Sequence, residues 1–408
     1  MHLGPPLPTR RRRIALYSHD TMGLGHVRRN ILIAAALVAA HPETDVLLLT
    51  GAPEATGLPL PPSTDVVTLP TLRKHEDGQY SARQLSCPLE ELLHTRSSLI
   101  EAALTTFDPD LVVIDKVARG VGGELDAALS ALRVLGRARV VLGLRDVLDA
   151  PRVARREWEE SRTTQAVCEF YDAVWVYGDP TIFDPVLEYH LSLEVAGMLS
   201  YTGYLAGQRP SGLRIRHQVI APPTPPGQPY VLCLVGGGQD GQALAGAFAQ
   251  ARFPRGHHGV VLIGSHMPDS QQEALTRQAQ CRDDLTVHGF VPGADDFVNR
   301  ASAAVSMGGY NSVCELLAAR RPTLLVPRVT PRQEQAVRAE RLACAGWVDM
   351  IHPSDATPGQ LGHWLSRSVH GASRPRRDVD RRGLSRLPRL AEELLGWGAR
   401  GEVPDVAV

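Results

Sequence analysis

Short apolar runs, each followed by a polar turn and then by a helical pattern, constrain this chain more than anything else in it. Ile14–Ser18, Asp45–Thr50, Asp65–Leu69, Leu111–Ile114, Val140–Leu144 and Val174–Tyr177 are such runs. Helical spacing separates several of them, notably over Val27–Ala40 and Leu89–Leu104. The runs are too short for helices, and they are apolar at successive positions, as a strand covered on both faces must be. Strands alternating with helices predict a doubly wound, mainly parallel α/β sheet. The alternation breaks at GQRPSGLRIRHQVIAPPTPPGQP, whose APPTPPG core cannot sustain a helix or a sheet interior. It restarts with Tyr230–Val235, Gly259–Ile263, Leu285–Val287, Ala303–Ser306 and Thr323–Val326. The expectation is an α/β protein of two Rossmann-like domains facing a cleft. Their bounds are a tail at 1–12, a first domain at 13–215, a linker at 216–228, a second domain at 229–370, and a basic segment with a C-terminal helix at 371–408.

Length agrees, because 408 residues exceed a single ordinary core. A formal charge of −1 provides no basic field for nucleic acid. Lysine occurs only at Lys74 and Lys116, and the arginine excess reads as codon usage, pointing to a GC-rich bacterium. Six scattered cysteines without a C-x-x-C pair read as buried thiols of a reducing cytoplasm. Arg10–Arg13 precedes an apolar stretch too short for a signal peptide, and no run approaches the roughly 18 apolar residues of a membrane span.

Two glycine loops stand where a first strand meets a first helix. The first reads HDTMGLGHVRR, with Gly23-x-Gly25 and then His26 at the helix start. It is not a dinucleotide fingerprint, since the second strand ends in Thr50–Gly51 without an acid for a ribose. It is either a simple tight turn or a cleft loop presenting His26 as a base. A helix N-terminus disfavours the protonated imidazole, which keeps His26 able to accept a proton. His19 is the rival. Asp115 and Asp146, at strand ends in the same cleft, are candidate helpers or acceptor ligands. The second loop, Gly236-Gly237-Gly238-Gln239-Asp240-Gly241, lacks the Lys and Ser/Thr of a P-loop, so its amides would cradle a diphosphate without ATPase chemistry. A polar loop is expected at Arg73, Lys74, His75, Glu76 and Asp77.

The stretch SMGGYNSVCELLAARRPTLLVPRVTPRQEQAVRAER combines a glycine turn, a helix with Glu315, a short strand, and a second polar pair at Glu334–Gln335. Helix amides suit phosphates there, and carboxylates suit vicinal hydroxyls. Neither zinc nor calcium motifs occur, so neither a metal nor a separate cofactor is expected.

These motifs together resemble the GT-B glycosyltransferases, and within them the MurG-like, family 28-like group. MGLGHVRR looks like that group's acceptor-side loop, which implies a base role for His26. GGGQDG looks like its diphosphate loop and implicates Gly237, Gly238 and Gln239. The resemblance further implies a base stacked near Phe290 and meeting the backbone at Val291. It places Gly309, Asn311 and Ser312 at the phosphates, Glu315 on the ribose, and Glu334 and Gln335 on the sugar. The group usually has two Gln where Glu334–Gln335 stands and an Asn where Arg338 stands. SHDTMGLGHVRRN and VLGLRDVLDAP also resemble phrases of a bacterial set of predicted glycosyltransferases. The activity implied is metal-independent, inverting sugar transfer from a UDP-sugar to a small-molecule or glycan acceptor. A non-hydrolysing sugar-nucleotide 2-epimerase, or a sugar-nucleotide-binding protein without chemistry, is the alternative.

Overall fold

In the computed structural model the described residues are 10–20, 23–75, 79–206, 227–237, 240–264, 266–291, 294–370 and 378–397. Most of the expected linker, together with Gly238 and Gln239, lies outside them.

The first apolar series forms β1 (Arg12–Ser18), β2 (Thr44–Thr50), β3 (Thr64–Thr68), β6 (Leu111–Asp115), β7 (Arg139–Arg145), β8 (Ala173–Tyr177) and β9 (Leu199–Tyr201), separated after β3 by a hairpin of β4 (Leu72–Lys74) and β5 (Tyr80–Ala82). The seven strands make one parallel sheet ordered β3-β2-β1-β6-β7-β8-β9. The second series forms β10 (Tyr230–Leu234), β11 (His258–Leu262), β12 (Leu285–His288), β13 (Ala303–Ser306), β14 (Thr323–Leu325) and β15 (Asp349–Met350), a parallel sheet ordered β12-β11-β10-β13-β14-β15.

Helices on both faces explain why the strands read as continuous apolar runs. In β1, Ile14 and Leu16 join the core layer under helix α1 (Gly25–Ala40), whereas Ala15 and Tyr17 join the opposite layer. In β10, Leu232 and Leu234 face one layer and Val231 and Cys233 the other. The side-chain period of two holds, but both sides of the sheet are dry.

Three features differ from expectation. The first strand begins at Arg12, and Arg10 and Arg11 are already tied down, to Asp108 at 2.7 Å and to Asp45 at 2.9 Å, inside the expected tail. The polar stretch from Arg73 is partly strand, because Leu72 buries into a small core with Leu92 and Val121 and pulls β4 against β5. Finally, the C-terminal helix, Gly383–Leu395, packs on the first lobe. Its Leu384, Leu387 and Ala391 join the α1 core layer, and the Gly383 N–H donates to the Tyr204 carbonyl at 3.0 Å.

Both sheets reverse strand order beside their first strand: β1 lies between β2 and β6, and β10 between β11 and β13. Loops at the carboxyl ends of strands open a crevice at such a reversal. The loops after β1 and β6 carry His26 and Lys116 in one lobe, and those after β10 and β13 carry Gly237 and Gly309 in the other.

Candidate functional site

The loop after β1 is held by its own acid. Asp20 is buried; it accepts from the Ser18 hydroxyl, from Thr50 Oγ1 at 2.7 Å and from the Val27 N–H at 3.3 Å. Gly51 packs against this loop so closely that a Cβ there would stand 2.3 Å from the His19 carbonyl oxygen. The loop therefore delivers the first turn of α1, and with it His26, to a fixed place.

His26 Nδ1 lies 2.5 Å from Asp115 Oδ2, at the end of β6. Arg29, one turn along α1, grips the same carboxylate at 2.6 and 2.7 Å. Arg29 Nη2 also lies 3.0 Å from His26 Nδ1. The contact with the carboxylate requires a proton on Nδ1, which leaves Nε2 as the acceptor nitrogen. Burial favours a neutral Asp115, but Arg29 and then His26 more than offset it, and the carboxyl sits well below the usual range. Burial also lowers His26, against the pull of Asp115, so the imidazole is neutral at pH 7. Burial, then His26 and Lys116, depress His19 further; its ring lies 5.0 Å from that of His26, and its Nδ1 has no hydrogen-bond partner among the described residues.

Across the crevice, the helix Tyr310–Ala319 starts directly against this loop. Asn311 Nδ2 donates to the Gly25 carbonyl at 2.9 Å, and Arg28 pairs with Glu315 at 3.2 Å. Asn311, assigned from sequence to phosphates, thus bridges the lobes, and Glu315 meets an arginine where a ribose was expected. Gly309 occupies the helix N-cap, and Ser312 lies in the first turn, half-buried.

The remaining residues gather around an arginine. Arg328 Nη2 donates to Glu334 at 2.5 Å, its backbone N–H to Gln335 Oε1 at 3.1 Å, and its Nη1 to Asp240 in the second glycine loop at 3.1 Å. Glu334 Oε2 is buried with no partner among the described residues. The loop rests on Gly264, where a Cβ would stand 2.1 Å from the Gly236 carbonyl oxygen. Gly237 is exposed beside it. Phe290 is 36% exposed and Val291 buried, both beyond the edge strand β12.

Asp146 and Arg338 have another role. Both are buried; Arg338 takes the Asp146 carboxylate at 2.6 to 3.0 Å, and Tyr204 OH donates to Asp146 at 3.0 Å. Asp146 is therefore not open to an acceptor, which corrects the expectation for it. Tyr310 sits between the guanidinium groups of Arg29 and Arg338, 5.5 and 5.6 Å from its ring, and donates to the Tyr177 carbonyl at 2.8 Å. Among the described residues no three His, Cys, Asp or Glu side chains gather as a metal ion requires, and no helix is long and apolar enough to cross a membrane.

No curated protein matches the chain. Among solved structures it is similar to CalG4, the calicheamicin glycosyltransferase (16% identity, 95% of each chain, TM-score 0.57). It is also similar to MurG of Acinetobacter baumannii (16%, 94% of this chain and 99% of that one, TM-score 0.54). A provisionally assigned UDP-N-acetylglucosamine 2-epimerase of Listeria monocytogenes shares the fold as well (13%, 96% and 98%, TM-score 0.59). At these identities the likeness shows the two-lobed GT-B architecture. Residues 231–394 match the glycosyltransferase family 28 C-terminal domain. The fold is GT-B, and its second lobe carries the family 28 match.

Sequence reasoning missed several residues of this site. Arg29, Arg328 and Tyr310 make the contacts that hold Asp115, Glu334 and the lobe junction. The signal for Arg29 was present, because it stands one helical turn from His26 and shares its face. Nothing local marks Arg328 or Tyr310.

Proposed function

We propose that the protein transfers a sugar from a nucleoside-diphosphate donor, UDP-linked first of all, to the hydroxyl of a small-molecule or glycan acceptor, with inversion and without a metal ion. The observation that carries this reading is the His26–Asp115 pair, with Nδ1 committed to the carboxylate and Nε2 left to accept a proton. The contact between its loop and the helix at Gly309, Asn311 to the Gly25 carbonyl, supports a base that faces an anion site.

The acceptor O–H gives its proton to His26 Nε2 as its oxygen bonds to the anomeric carbon. The bond from that carbon to the diphosphate breaks on the far side, and the nucleoside diphosphate leaves with the electron pair. Asp115 stabilises the imidazolium that forms. Amides at Gly309 and in the loop at Gly237 would meet the leaving diphosphate, with Gly238 and Gln239 completing that loop. Glu315 would exchange Arg28 for ribose hydroxyls on donor entry, across a contact that is already partly solvated. The unpartnered Glu334 Oε2 supports its role, with Gln335, toward the sugar, and the exposed Phe290 supports a stacking role with Val291 beneath it. Six free thiols support a reducing, cytoplasmic setting.

The epimerase reading has the fold in its favour. Incubation with UDP-sugars, with and without an acceptor panel, separates the two. Acceptor-dependent release of UDP with a β/α switch at the anomeric carbon is expected; an isomerised UDP-sugar without acceptor would establish the epimerase instead.

A further inference from the structure

The two lysines of this chain, isolated in an arginine-rich sequence, lie near enough in the fold for the charge of Lys74 to act on Lys116. Lys116 directly follows Asp115 at the end of β6, with its backbone in the left-handed region (φ 70°). Lys74 ends β4, its ammonium 5.3 Å from the Tyr80 ring. Arg145 ends β7, next to β6 in the sheet. Arg332 reaches in from the other lobe and is paired there with Asp149 at 2.7 Å and Glu157 at 2.6 Å.

Those two carboxylates serve Arg332. Lys74, Lys116 and Arg145 have neither an ion pair nor a side-chain hydrogen bond among the described residues, and Arg145 Nε is buried without a partner. Burial first, and then Arg145 and Arg332, push the Lys116 ammonium down to about 8. Glu334 and Asp115 also act on Arg145, but they are bonded to Arg328 and to Arg29 with His26; the two lysines keep no carboxylate of their own, and an anion arriving there would relieve the repulsion. Codon usage does not account for lysine at these two positions alone. A compact ammonium serves as a point-charge ligand for an anion that an arginine fork would grip differently.

We propose that this cluster receives an anionic group of the acceptor, a phosphate monoester or a carboxylate. The inference rests on the sugar-transfer reading. Position assigns the anion to the acceptor: Lys74, Lys116 and Arg145 all belong to the first lobe, whereas the residues proposed for the donor lie in the second. The buried His19, its Nδ1 without a hydrogen-bond partner among the described residues, lies with its ring 5.0 Å from that of His26; burial, then His26 and Lys116, keep it neutral. An acceptor anchored at Lys116 would present a hydroxyl a few bonds away to His26 Nε2.

Calorimetric titration of the full chain with inorganic phosphate, and separately with acetate, tests this with UDP present at saturation so that the donor diphosphate site is filled. Phosphate, acetate or both should bind the UDP-loaded protein, and the stronger of the two names the group. Lys116→Asn, which keeps a residue tolerant of positive φ, and Lys74→Gln, in a surface hairpin, should each weaken anion binding about tenfold with UDP affinity unchanged. Anion binding equal to wild type in both variants, or absent from the UDP-loaded protein, overturns the proposal. An equal loss of UDP affinity assigns the cluster to the donor and overturns it too. Failure of UDP, dTDP and GDP alike to bind, with lysine-dependent phosphate binding retained, removes the transfer reading and the acceptor role together but leaves the anion site.

Discussion

At the scale of single residues, His26 and Asp115 show how one contact sets a protonation state. Asp115 alone in a dry site would favour its neutral form; Arg29 makes it a permanent anion, and that anion fixes the imidazole tautomer. His26→Ala should reduce kcat by about 10²–10⁴-fold while the donor Kd, measured by titration, stays at the wild-type value. Because burial lowers the His26 pKa, the acid limb of kcat/KM should have its midpoint below the unperturbed value of about 6.5. A midpoint above that value would mean Asp115 wins over burial. The depressed Asp115 carboxyl also contributes stability that is fully present above its unfolded value of about 4 and is lost as pH falls through the folded one. Asp115→Asn should therefore flatten the acid side of a Tm–pH curve.

At the scale of elements, the two lobes use the same device. A glycine stands within two residues of the end of the strand beside the first one in each lobe, Gly51 after β2 and Gly264 after β11, and both press on the loop that follows the first strand. Gly264→Ala puts a Cβ into backbone at 2.1 Å, so it should displace the loop at Gly236–Gly237 and raise the UDP Kd at least about tenfold, as measured by calorimetry. The strands themselves were legible in the sequence, because a strand buried on both faces announces itself in four or five consecutive apolar residues. The glycine loops and His26 were legible from their place between strand and helix. The hairpin β4–β5 was not, since Arg73, Lys74 and Tyr80 carry no apolar alternation and depend on Leu72 finding Leu92. Contacts across the crevice were not legible either. Arg338 looked like a departure at a sugar-binding position, and only the fold brings Asp146 to it from nearly 200 positions away. Asn311 and Glu315 similarly face partners that no local pattern encodes.

At the scale of the whole molecule, the junction between lobes is polar at its centre. Arg338→Met leaves Asp146 buried and without its cation, and it should cost about 3–5 kcal/mol in chemical denaturation. Asp146→Leu combined with Arg338→Met should recover much of that loss, because no lone charge then remains inside. Removing residues from 378 onward should be worse for the first lobe than for the second, although the segment follows the second in sequence. It takes Leu384 and Leu387 from the α1 layer, at about 2 kcal/mol each, and uncovers an apolar stripe. Size-exclusion chromatography should show association of such a protein, and a monodisperse monomer would contradict the role given to that helix.

The docking of Gly383–Leu395 on the first lobe matters for how the chain is made. The polypeptide leaves the first lobe, builds the second, and ends back on the first. The α1 layer is therefore finished only by residues that come after the whole second lobe, Leu384, Leu387 and Ala391 among them. A ribosome delivers the first lobe with that layer still uncovered, and the last helix to emerge is the one that closes it.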